Sequence, residues 1–90
     1  MSENGDGTVR LWLVERDYDS RNLVTLVYAT PDGERYLRQE RSAHLLKDGV
    51  TAAVDTAPSD LTVVDDEETR ERYAAEADRM RDRHAPDETV

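Results

Sequence analysis

Leu23-Val24-Thr25-Leu26-Val27-Tyr28-Ala29-Thr30, closed by Pro31-Asp32-Gly33, is the stretch on which the fold turns. Its eight residues are β-branched or apolar at nearly every position, on both faces of an extended chain, as a central strand requires. Proline pre-sets φ and glycine accepts a positive one, so the next three residues read as a tight turn. Upstream, Thr8-Val9-Arg10-Leu11-Trp12-Leu13-Val14-Glu15-Arg16 is a second strand: strict alternation puts Val9, Leu11 and Leu13 on one face and Arg10, Trp12, Val14 and Arg16 on the other. Asp17 to Asn22 is a turn-rich connection. Downstream, Glu34 to Arg41 holds only Tyr36 and Leu37 as large uncharged side chains and suits an edge strand, where charge deters aggregation.

These strands matter because composition alone points the other way. The chain has 90 residues, 12 Lys+Arg against 21 Asp+Glu, a net charge of −9 and no Phe. Low aliphatic content with high net charge is a signature of disorder. Periodicity overrules it for the first half, which reads as a three-stranded meander.

The middle is shorter-ranged. Ser42 to Gly49 reads as one or two helical turns, Ser42 capping and Gly49 closing. Val50 to Asp55 alternates as a short fourth strand, with residues 50, 52 and 54 toward the core. Pro58-Ser59-Asp60 turns the chain, and Leu61, Val63 and Val64 anchor the segment beyond it. A C-terminal helix then starts at Asp65 or Asp66, with Glu67 and Glu68 in the first turn, where the helix dipole favours anions. Tyr73, Ala77, Met80 and His84 form its apolar stripe. Glu68–Arg72, Asp66–Arg70, Asp78–Arg81 and Glu76–Arg79 have the spacing of ion pairs on its exposed faces. The expected fold is therefore α+β: a three- to four-stranded antiparallel meander with one C-terminal helix packed on one sheet face. Residues 1–7 are expected to be a flexible lead, 8–84 a single domain and 85–90 a flexible, solvated tail.

No catalytic, cofactor-binding or metal-binding residues are assigned. Without cysteine there is no thiol nucleophile, disulfide or Cys-ligated metal. Asp17/Asp19 and Asp65 to Glu68 lack the ligand order of a calcium loop. His44 and His84 have no metal-ligand spacing. The four serines lie in the lead, turns or a cap, outside any nucleophile elbow. The glycines at 5, 7, 33 and 49 form no phosphate loop. No apolar run is long enough to span a bilayer, and residues 1–7 do not read as a signal peptide.

By composition the chain resembles the acidic cytosolic proteins of haloarchaea: Lys47 is the one lysine, and Ile and Phe are absent. The resemblance implies a cytoplasm at molar salt, where a Debye length of about 3 Å mutes self-repulsion. It lends no catalytic residue. One helix on one face leaves the other apolar face bare, and a bare face implies an interface. The reading is a non-enzymatic interaction or accessory module, either a homodimer or bound to a protein partner. Trp12, Val14, Tyr28, Tyr36 and Arg38 are the candidate surface. The alternative is a nucleic-acid-associated regulator stacking bases on a face shared by Trp12, Tyr28, Tyr36, Arg10, Arg16 and Arg38.

Overall fold

The computed structural model describes residues 7–46 and 49–90. Three long strands form its centre: β1 (Val9–Tyr18), β2 (Leu23–Ala29) and β3 (Arg35–Ser42). Two short strands flank them, β4 (Ala53–Thr56) and β5 (Thr62–Val63), followed by one helix, α1 (Glu67–Arg83). The sheet is antiparallel with order β4-β1-β2-β3-β5. The α+β meander with a C-terminal helix is thus present, with five strands rather than three or four. No described helix is long and apolar enough to cross a membrane. Residues 1–6, expected as a lead, and Lys47 and Asp48 lie outside the described residues.

Helix α1 starts where its cap dictates: the Asp66 carboxylate accepts from the Thr69 N–H at 2.7 Å and from the Thr69 hydroxyl at 2.7 Å. The helix lies on the face that carries Trp12, Ala53, Val27 and Ala29, with Ala77 and Tyr73 buried beneath it. Glu76–Arg79 and Asp78–Arg81 pair as the spacing predicted. Arg72 instead reaches across to Glu15 of β1 at 3.3 Å.

The opposite face is also covered, contrary to the expectation of a bare one. Leu11, Leu13, Val24, Leu26 and Tyr28 form a second buried cluster there. Both crossings from one edge of the sheet to the other pass over it: Ala43 and Leu46 after β3, and Leu61 between β4 and β5, pack on the cluster. Short connections with single apolar anchors do what a second helix would do.

Two further differences arise from backbone geometry. The β1–β2 register shifts between Leu13↔Tyr28 and Glu15↔Val27, a bulge at Val14. An extra residue reverses the side-chain alternation beyond it. Glu15 and Asp17 therefore share the helix side with Trp12, and Arg16 goes to the other. The second difference is the tail. Residues 85–90 run back along residues 50–53, at the start of β4, as a strap: the N–H groups of Ala52 and Ala53 donate to the Glu88 and Pro86 carbonyls, and the Val90 N–H donates to the Val50 carbonyl, at 2.8–3.0 Å. Arg16 donates to the Val90 carbonyl at 3.0 Å, and His84 Nδ1 lies 2.7 Å from Glu88 Oε2. Its acidic side chains are exposed, as their polarity predicted, but its backbone closes the sheet edge that would otherwise leave Ala52 and Ala53 unpaired.

Candidate interaction edge

The site is built outward from the β2–β3 turn. Asp32 Oδ1 accepts from the Thr30 hydroxyl at 2.5 Å and the Glu34 N–H at 3.0 Å. These bonds hold its carboxyl below the usual aspartate range. Gly33, at φ 74°, lets the turn pass against α1. The turn sets the phase of β3. Thr30 donates to the Arg35 carbonyl and Ala43 donates to the Asn22 carbonyl, so odd-numbered β3 residues bond inward to β2. Val64 donates to the Glu34 carbonyl, so even-numbered residues face outward.

Outward pairing stops almost at once. β5 meets β3 at Arg35↔Val63 and Tyr36↔Thr62 and ends there. Among the described residues no strand pairs with the outer edge from Leu37 to Ser42: the Arg41 guanidinium donates to the Glu40 carbonyl at 3.4 Å, and the outward N–H groups of Arg38, Glu40 and Ser42 have no backbone partner.

Beside this edge, α1 leaves one corner of its sheet face open. Glu15, Asp17, Thr25, Val27, Tyr36, Arg38 and Tyr73 line a hollow of ≈ 280 Å³. Tyr36 and Tyr73 meet edge to face, with centroids 6.1 Å apart and planes at 62°. Arg72 stacks over the Tyr73 ring at 5.2 Å while reaching Glu15. Burial, then the Glu15 charge, raises the Tyr73 phenol above its ordinary value. Arg38 and Glu40 sit on the same face of β3, 3.9 Å apart and both exposed. The charged side chains that line the hollow are of mixed sign, Glu15 and Asp17 against Arg38.

The five surface residues named from sequence part company here. Tyr36 and Arg38 line the hollow, and Val14 adjoins it through the Val27–Tyr73 cluster. Trp12, 4% exposed, lies under α1, and Tyr28, 2% exposed, lies in the core of the opposite face. Neither belongs to any surface. The shared face proposed for six aromatic and basic residues is likewise not assembled: Arg10, Trp12, Tyr36 and Arg38 are on one side, Arg16 and Tyr28 on the other. Glu15 and Asp17 were not assigned to the site because only the bulge brings them to it. Elsewhere, the Ser42 hydroxyl accepts from the His44 backbone N–H at 3.2 Å, which caps a turn and does not make a nucleophile–base pair. Among the described residues no three His, Cys, Asp or Glu side chains gather as a metal-ligand set.

A family model described as a family of unknown function (DUF7967) matches residues 5–90, and the chain belongs to that family. No curated protein and no solved structure matches the chain.

Proposed function

We propose, with the family supplying no activity to carry over, that the chain is a small non-enzymatic interaction module of a halophilic cytoplasm. The outer edge of β3 and the adjoining hollow are where it meets an extended segment of another chain. The observation that carries this reading is the run from Leu37 to Ser42, which no strand pairs among the described residues, beside an open corner of the helix face, while the strap covers the opposite margin of the sheet at residues 50–53. Exposed strand edges are templates for pairing with other chains. Among the described residues the large exposed apolar side chains, Tyr18, Leu45 and Val63, come one each from β1, the turn after β3 and β5, so association through an apolar face has less support. The acid-rich, lysine-poor composition supports the halophilic setting.

Glu40→Pro tests the edge. The Glu40 N–H points away from β2, so proline there leaves the inner ladder intact while removing an outward donor. In molar KCl, the wild-type chain is expected to associate, with a second copy by light scattering or with another protein in affinity capture. The variant is expected to lose that association with unchanged circular dichroism. Association untouched by Glu40→Pro would sink the assignment to this edge.

A further inference from the structure

We propose that the β3 edge receives an antiparallel strand from a different protein, with a basic residue opposite Glu40 and, two positions later, an acidic residue opposite Arg38. The same fold closes the edge to a second copy of itself. This rests on the reading of the edge as an interaction site and names its partner.

The side chains of Arg38 and Glu40 flank the outward backbone groups that would exchange bonds with an added strand. Opposite charges directly across an antiparallel pair are favourable and like charges unfavourable. The complementary pattern, read from N to C, is therefore basic-x-acidic. β3 itself carries that pattern in Arg38-Gln39-Glu40. Two copies with Gln39 on a two-fold axis would set each Arg38 against the other's Glu40. In that register, however, Ser42 of the second copy lies level with Tyr36, where Thr62 of β5 is already paired. Ser42 cannot peel away freely, because it is held in the ladder opposite Leu23. Sliding two residues away from β5 sets Glu40 against Glu40. Sliding the other way sets Arg38 against Arg38 and drives further into β5. The two residues of β5 therefore block the one register the charges favour. A segment that ends where β3 of a second copy continues meets no such block.

The absence of cysteine makes the test direct. Gln39→Cys introduces a sole thiol at a position whose cross-strand neighbour would sit about 4.5 Å away, Cα to Cα, within disulfide range. The probes are the peptides Leu-Arg-Cys-Glu-Arg, matched, and Leu-Glu-Cys-Arg-Arg, with the charges exchanged. They are equilibrated in a thiol–disulfide buffer at the lowest KCl concentration that keeps the chain folded by circular dichroism. The matched peptide is expected to form the mixed disulfide about tenfold more readily than the exchanged one, the equivalent of about 1.4 kcal/mol. The protein homodimer should be a minor product. Equal trapping of the two peptides overturns the charge pattern. A predominant homodimer makes a second copy the occupant and overturns the proposal while leaving the edge an interface. Trapping no better than at Ser59→Cys, in the exposed turn before β5, removes the proposal and the edge reading together.

Discussion

A Cβ at Gly33 would collide with the Arg70 carbonyl and the Ala74 nitrogen of α1, and φ 74° is costly for any L side chain. One missing methyl group thus seats the helix against the β2–β3 turn. Gly33→Ala is expected to cost on the order of 2–4 kcal/mol, because the neighbours are helix backbone and cannot rotate aside. Urea denaturation in molar KCl measures it, and an unchanged midpoint would mean the helix is not seated there. Asp32, in the same turn, gives a pH prediction. Its folded pKa is depressed, by the Thr30 hydroxyl first and the Glu34 N–H second. Its contribution is therefore present above the unfolded value of about 4 and is lost as pH falls through the lower folded value. The melting temperatures of wild type and Asp32→Asn should converge below about pH 4. A constant gap through the acid range would show that the carboxylate charge is idle.

Among the elements, those with local signals were legible in the sequence. β1 announces itself by alternation, β2 by an apolar run on both faces, β3 by its charge and the Pro-Asp-Gly turn before it, and α1 by an aspartate cap followed by two glutamates. What was not legible depends on backbone pairing at a distance. The Val14 bulge has no glycine to mark it, yet it decides which side chains share the helix face. That is why Glu15 and Asp17, which line the hollow beside Tyr36 and Arg38, carry no signal in the sequence. The strap was missed for a similar reason: Asp87, Glu88 and Thr89 are solvated, and its hold is through carbonyls and amides that any residue supplies. Removing residues 86–90 should leave the Ala52 and Ala53 N–H groups without acceptors. With the Val90–Val50 bond also gone, three backbone hydrogen bonds at roughly 1 kcal/mol net each make the loss about 3 kcal/mol. Thermal melting measures the loss, and amide exchange at Ala52 and Ala53 should quicken with it. Unaltered exchange at both amides would show that the strap adds nothing.

Over the whole molecule, the net charge of −9 opposes compaction, while the ion pairs seen are exposed and individually worth little. Screening therefore favours the folded state more than it weakens its pairs. The melting temperature should rise from about 0.1 M to molar KCl, over which the Debye length falls from about 10 Å to about 3 Å. A flat profile by circular dichroism would remove the halophilic setting from the proposed function.

The strap also imposes an order on assembly. A ribosome delivers β1 well before the outer neighbour of the 50–53 segment that flanks it, which follows only after α1. The β1–β2–β3 hairpins can zip as they emerge, whereas the other margin of the sheet must wait for residues 38 positions further on, the separation of Thr51 from its bridge partner Thr89. Closing so large a loop is slow compared with local zipping. The nascent chain therefore passes through a stage with its central hairpins formed and the flank at residues 50–53 still unsealed.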